Sequence, residues 1–167
     1  MSPHPGDHPA RVLTVTVSDT RAAADDRGGE ALRACLHAQG YALAAHRIVR
    51  DELDEIAAVI DAAVDDDEVD AVVLTGGTGI APRDVTYEAV AARLDKTLEG
   101  FGEAFRRVSW DEVGPRAILS RAVAGTRGRT VVVALPGSVG GVRTAVDRVL
   151  GPTLGHMVAL LKGSRGA

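Results

Sequence analysis

Val72-Val73-Leu74-Thr75-Gly76-Gly77-Thr78-Gly79-Ile80-Ala81-Pro82-Arg83-Asp84-Val85-Thr86 is the stretch that decides the fold. It opens as a β-branched apolar run without polar alternation, the pattern of a strand covered on both faces, and it ends in a glycine-rich turn. Two other runs share this character, Val12 to Val17 and Thr130 to Leu135, while the run ahead of the glycines spans Ala71 to Thr75. Between them lie stripes of helical period. They are Leu32, Cys35 and Leu36; Ile56, Val59, Ile60, Ala63 and Val64; Phe101, Phe105 and Val108; and Val142, Ala145, Val146 and Val149. A further strand is expected over 41–49, and an extra one from Ser120 to Gly125 that turns through Arg127-Gly128-Arg129 into the Thr130 run. Pro152 is expected to start a last helix through Met157 and Leu161. Strands alternating with helices specify an α/β domain with a mostly parallel sheet covered on both faces.

Composition narrows the function. The chain has 167 residues, 46% of them apolar, enough for a single domain with an ordinary core. Nineteen basic against twenty-three acidic residues give a net charge of −4, which excludes the broad basic surface of a general nucleic-acid binder. The single cysteine, Cys35, excludes an internal disulfide or a multi-cysteine zinc site, and its place in an apolar stripe assigns it to packing. No apolar run approaches the roughly 20 residues of a membrane span. The proline-rich residues 1–10, with His4 and His8, read as a tail, as do residues 164–167, leaving one domain over 11–163. The tail has no apolar signal segment, and a soluble cytoplasmic protein is expected. The acidic run Asp65 to Glu68 reads as a solvated helix end.

In a doubly wound sheet ligands bind beyond the carboxyl ends of the strands, so the strand exits carry the chemistry. They are Ser18-Asp19-Thr20, Thr75-Gly76-Gly77-Thr78-Gly79 and Pro136-Gly137-Ser138-Val139-Gly140-Gly141. All are small, hydroxyl-bearing or glycine-rich, which favours a phosphate or nucleotide pocket. Gly76, Gly77 and Gly79 let backbone N–H groups approach an anion, Thr78 adds a hydroxyl, and Ser138 stands where it would cap the next helix. None of these loops is a P-loop or a G-x-G-x-x-G fingerprint. Asp84 follows the glycine loop and Asp51 follows the second strand. Each alone reads as a helix N-cap; together, beside phosphate loops, they read as carboxylates for Mg²⁺.

Val17-Ser18-Asp19-Thr20, the Thr75 to Thr86 stretch, Gly100-Phe101-Gly102-Glu103, Ala117-Ile118-Leu119-Ser120-Arg121-Ala122 and Leu135-Pro136-Gly137-Ser138 together resemble the MogA/MoaB family of molybdenum-cofactor biosynthesis, in order and spacing, from about Arg11 to Lys162. The resemblance implies a three-layer α/β/α sandwich of the molybdopterin-binding fold, assembled as trimers or hexamers. It implies a molybdopterin adenylyltransferase using ATP and Mg²⁺, with a metal-insertion protein of the same pathway as a possible partner. Asp51 and Asp84 match the acidic pair tied to adenylyl transfer. Thr75, Gly76, Gly77, Thr78, Gly79 and Arg83, with Pro136, Gly137 and Ser138, match the loops that cradle nucleotide and pterin phosphates. Ser18 and Asp19 match the exit of the first strand, and Asp26 and Gly29 the loop after it. Where many relatives have asparagine and proline, this chain has Ala134 and Val139, which implies one polar contact fewer and a looser loop. Alternatives are a molybdopterin carrier without transfer activity and a pterin carbinolamine dehydratase. The latter chemistry calls for clustered histidines, and His37, His46 and His156 are dispersed in the sequence.

Overall fold

Val72 and Leu74 face one helical layer while Ala71 and Val73 face another, so β3 (Ala71–Thr75) is covered on both sides. The structure, a computed structural model, describes residues 9–20 and 22–163; His4, His8 and residues 164–167 lie outside them. The remaining strands are β1 (Arg11–Val17), β2 (Ala42–Val49), β4 (Lys96–Thr97), β5 (Val123–Arg127) and β6 (Thr130–Leu135). They form one sheet of order β2-β1-β3-β6-β5-β4. The β2-β1-β3-β6 part is parallel, and β5 and β4 pair antiparallel at one side. The helices are α1 (Arg27–Ala38), α2 (Leu53–Val64), α3 (Thr86–Ala91), α4 (Glu99–Val113), α5 (Val139–Ala145) and α6 (Gly151–Gly163).

Two apolar layers sandwich the sheet. Leu32 and Leu36 of α1, Phe101 and Phe105 of α4, Val142 of α5 and Leu154 of α6 pack on the face of Val12, Val73, Val131 and Val133. Ile56 and Ile60 of α2 and Ala89 and Val90 of α3 pack on the face of Val15, Val72, Leu74 and Val132. The expected α/β sandwich is the observed one. Cys35 sits half-buried against the first layer, where burial and then Asp147 push its thiol pKa up.

Three features go beyond what the sequence specifies. The extra strand is β5, which spans Val123–Arg127 rather than Ser120 to Gly125, and β4, two exposed residues without an apolar pattern, pairs with it at the sheet edge. The last helix, α6, starts one residue before Pro152, but no break separates it from α5. A π turn over Val146–Leu150 carries the chain from α5 into α6 without a break, a widening that accommodates a residue with no N–H. A Cβ at Gly151 would stand 2.6 Å from the Val146 carbonyl oxygen, and the Tyr41 hydroxyl donates to the Gly151 carbonyl at 2.5 Å and accepts from the Gly155 amide at 3.1 Å. Finally, Ala134 is enclosed among the apolar side chains of the second layer, an environment suited to a methyl group.

Candidate functional site

The strand order reverses around β1, whose neighbours are β2 and β3, so a crevice is expected at the carboxyl ends of β1 and β3. The loops there are pressed together through backbone. Gly76 (φ +103°) donates its N–H to the Leu135 carbonyl at 3.1 Å, and a Cβ on it would run into the Val17 carbonyl oxygen. Thr75 donates its hydroxyl to the Pro136 carbonyl at 2.7 Å. A Cβ on Gly28, in the first turn of α1, would stand 2.8 Å from the Gly137 carbonyl oxygen. The exits of β1, β3 and β6 and the start of α1 thus meet at one place. Ser138 caps α5, its Oγ accepting from the Gly141 amide at 3.1 Å, and the side chain stays exposed.

The glycine loop has a definite polarity. The Gly77 carbonyl accepts from the Thr86 amide at 3.0 Å, the Thr78 carbonyl from the Arg121 amide at 2.9 Å, and the Gly79 carbonyl from Arg121 Nε at 3.0 Å. The amides of Thr78, Gly79 and Ile80 donate to no group among the described residues. A trans peptide points its N–H opposite to its C=O, so each of these three amides points away from the donor that holds its own peptide's carbonyl. That is the makings of an anion nest. Beside it the Thr86 hydroxyl is wholly buried without a hydrogen-bond partner among the described residues.

The acidic residues gather on this loop. Gly77 (φ +70°) leaves so little room that a Cβ would stand 3.0 Å from Asp51 Oδ1 and against the Thr86 hydroxyl. A Cβ on Gly79 would stand 2.7 Å from Asp84 Oδ2. Neither aspartate caps a helix. Glu52 and Val85 occupy the N-cap positions of α2 and α3 without side-chain bonds, and Asp84 Oδ2 instead accepts from the Ala81 amide at 3.0 Å. Asp19 accepts from the Asp51 amide at 3.1 Å and is held by Arg83 at 2.7 Å from Nε and 2.5 Å from Nη2. Burial pushes the Asp51 carboxyl above its ordinary pKa; the Asp19 and Asp84 carboxylates add to this, and the Asp19 amide and Arg83 oppose it. Ser18 stands at the same rim, its N–H on the Val49 carbonyl at 2.8 Å.

Mg²⁺ takes one or two carboxylates and completes its octahedron with water and phosphate oxygens. Among the described residues no group of three or more metal-ligating side chains is poised for a cation. Asp51 and Asp84 bring two carboxylates to one loop, and a divalent cation there would relieve the repulsion that Asp19 and Asp84 add to the effect of burial on Asp51.

Asp26 and Gly29 take a different place. Asp26 is 3% exposed, and both its oxygens are engaged: Oδ1 by the Gly29 amide at 2.9 Å, Oδ2 by the Thr16 hydroxyl at 2.7 Å and by His46 Nε2 at 2.8 Å. Thr14 Oγ1 meets His46 Nδ1 at 2.8 Å. Burial pushes the Asp26 carboxyl up, but the bonds from Thr16, His46 and Gly29 outweigh it and hold it below the ordinary value. This aspartate fastens the start of α1 rather than lining open space. Sequence reasoning gave no role to His46 or Arg121. The signal for the first was Thr14 and Thr16, two hydroxyls on one face of an otherwise apolar strand. The signal for the second was an arginine entering the strand beside the glycine loop.

A parallel-sheet α/β domain with glycine-rich strand exits at a topological switch point has the architecture in which ligands bind at the carboxyl ends of the strands. Residues 13–156 match the model of the probable molybdopterin binding domain. The chain is 44% identical over 149 residues to molybdenum cofactor biosynthesis protein B of Halalkalibacterium halodurans, covering 89% of this chain and 88% of that one. A crystal structure of a molybdenum cofactor biosynthesis protein B superposes with a TM-score of 0.91 at 42% identity, covering 95% and 99% of the two chains. The tungsten cofactor synthesizing protein MoaB from Pyrococcus furiosus gives 0.81 at 36% identity, over 94% and 98%. The chain belongs to the probable molybdopterin-binding domain family of molybdenum cofactor biosynthesis proteins. No helix among the described residues is long and apolar enough to cross a membrane.

Proposed function

We propose that the chain adenylylates molybdopterin with Mg-ATP in the cytoplasm. The terminal phosphate oxygen of molybdopterin attacks the α-phosphorus of ATP; a phosphoanhydride bond forms, the bond to the β-phosphate oxygen breaks, and pyrophosphate leaves with the electron pair. The nucleophile is already an anion, so no strong base is needed; the demand is to offset repulsion and hold the reacting groups in line. The free amides of Thr78, Gly79 and Ile80 and the exit at Pro136, Gly137 and Ser138 would receive phosphate oxygens. Asp51 and Asp84 would hold Mg²⁺, whose chemistry is to neutralise charge on the phosphates. Arg83 keeps Asp19 occupied at a distance of 2.5 Å, leaving Asp51 and Asp84 for the cation.

The single observation that carries this reading is the pairing of a free amide row with two carboxylates on one glycine loop. ATP-dependent pyrophosphate release in the presence of molybdopterin and Mg²⁺ tests it, alongside isothermal titration with molybdopterin alone. Release supports transfer. Tight molybdopterin binding without release would make the chain a carrier.

The same reading includes a homo-oligomer, trimer or hexamer. Trp110 and Val113 of α4 and Ile118 and Leu119 in the turn after it are exposed on one stretch of chain, which a partner copy would cover. A light-scattering mass near that of one 17.3 kDa chain at micromolar concentration would refute this.

A further inference from the structure

We infer that Arg121 is the positioning residue of the anion nest: its guanidinium grips the Gly79 and Asp84 carbonyls, at either end of residues 80–83, and so turns the Ile80 amide at the end of the glycine loop toward the phosphate. The inference rests on the adenylyl-transfer reading and assigns a part to a residue outside the carboxylate rim.

The geometry is that of a clamp. Arg121 Nε donates to the Gly79 carbonyl at 3.0 Å and Nη2 to the Asp84 carbonyl at 3.1 Å, so one planar fork spans both ends of the segment carrying Ile80 to Arg83. Its own amide takes the Thr78 carbonyl at 2.9 Å. The far side of the guanidinium pairs with Glu88, and the Tyr87 ring lies 5.2 Å from its Cζ, both in the first turn of α3. Arginine's fixed fork suits two carbonyls held at a set spacing, where a lysine ammonium offers a point charge on a flexible stem. Carbonyls anchored on Arg121 cannot rotate toward the ligand, where their negative ends would repel a phosphate. With the charge satisfied by Glu88 and the donors by carbonyls, Arg121 acts through the loop and does not need to touch the ligand.

The experiment compares Arg121→Gln and Arg121→Lys with Arg127→Gln. Arg127 lies at the far end of β5, paired with Asp95 at 3.3 Å, so its loss controls for one positive charge fewer. Two quantities are read on each folded protein, with its thermal midpoint: Mg-ATP affinity, and backbone order of Thr78, Gly79 and Ile80 by amide NMR relaxation without ligand. Arg121→Gln is expected to loosen the Ile80 amide, the Gly77 and Thr78 carbonyls still being held by the Thr86 and Arg121 backbone amides, and to weaken Mg-ATP at least tenfold, with the fold retained. Arg121→Lys is expected to restore the charge but less than half of the lost affinity on a logarithmic scale, and Arg127→Gln to stay within about threefold of the unaltered chain. A loosened Ile80 amide with unchanged affinity would overturn the inference, because the clamp would then be structural only. An ordered Ile80 amide with lost affinity would also overturn it, because Arg121 would then contact the ligand itself, and so would full recovery by lysine. If the unaltered chain binds no Mg-ATP while Arg121→Gln still loosens the Ile80 amide, the nucleotide reading fails and the clamp stands.

Discussion

Asp26 and Asp51 lie on opposite sides of the β1 exit and differ in almost everything but residue type. Asp26 is enclosed, each of its oxygens has a protein donor, and those bonds hold its pKa down against burial. Asp51 is half-buried against Gly77 with Asp19 and Asp84 for neighbours, and burial and repulsion push its pKa up. A carboxylate whose charge the protein satisfies fastens the fold. A carboxylate that burial and its neighbours push toward the neutral form gains from a cation, which is the part the proposed function gives to Asp51.

The sharpest way to break this contrast is to neutralise Asp51. Asp51→Asn is expected to reduce pyrophosphate release at least a thousandfold, roughly 4 kcal/mol of transition-state stabilisation. The same change is expected to make the chain more stable at neutral pH. A raised folded pKa means that the fold prefers the protonated form; this favourable contribution is present below the ordinary carboxylate value and is lost as the pH rises through the raised one. The advantage of the Asn variant in urea unfolding should therefore shrink as the pH falls through the raised value and vanish below about 4. A variant less stable than the parent at pH 7 would place Asp51 with Asp26 and dissolve the distinction.

Asp26→Asn is the mirror experiment. An amide at this site retains one acceptor and leaves the Thr16 hydroxyl or His46 without its partner, which costs about 2 kcal/mol of stability. The lowered pKa gives a contribution present above the ordinary carboxylate value and lost as the pH falls through the folded one, so the difference from the parent should be full at pH 7 and diminish in acid. Activity per folded molecule is expected to change less than it does for Asp51→Asn. Equal losses would show that α1 and the loops move as one unit.

What was legible in the sequence follows the same division. The parallel strands were readable because a strand covered on both faces must be a continuous β-branched run, and β1, β3 and β6 are such runs. The rim was readable because Asp84 follows its glycine loop within the same fifteen residues and Asp51 follows a strand. The Asp26 cluster was not, because its members are brought together by the pairing of β1 with β2, with Thr14 opposite His46 in the parallel register. β4 left no signal because Lys96 and Thr97 are two exposed residues at an edge. The start of the last helix was legible because proline is the usual mark of one; its continuity with α5 was not, because only the π turn lets Pro152 follow without a break.

Gly77 tests whether the loop and the rim are one object. Gly77→Ala places a Cβ against the Thr86 hydroxyl and 3.0 Å from Asp51 Oδ1, at a φ of +70° that side chains rarely adopt. Mg-ATP affinity is expected to fall about tenfold, equivalent to about 1.4 kcal/mol, with a stability loss of about 1 kcal/mol beside it. Stability loss with unchanged affinity would confine the glycine to the turn and separate it from the Asp51 rim.

The smallest expected effect belongs to Ser138, which sits on both sides of the comparison. Its Oγ accepts from the Gly141 amide at 3.1 Å, a satisfied group like Asp26, yet the side chain is exposed at a strand exit, near the carboxylate rim of the proposed site. Ser138→Ala removes the cap and should lower stability by about 1 kcal/mol, whereas glycine, a tolerated N-cap residue, should lower it by only about 0.3 kcal/mol. If Ser138 only caps α5, ligand affinity stays level in both variants while stability separates them. If its hydroxyl also meets a phosphate, both variants lose affinity alike, by roughly threefold to tenfold, because neither has an oxygen to offer. Urea unfolding and molybdopterin titration on the same two preparations decide it. Affinity that follows stability across the pair, weak for alanine and restored for glycine, would mean that the serine serves the ligand only by holding the helix start in place.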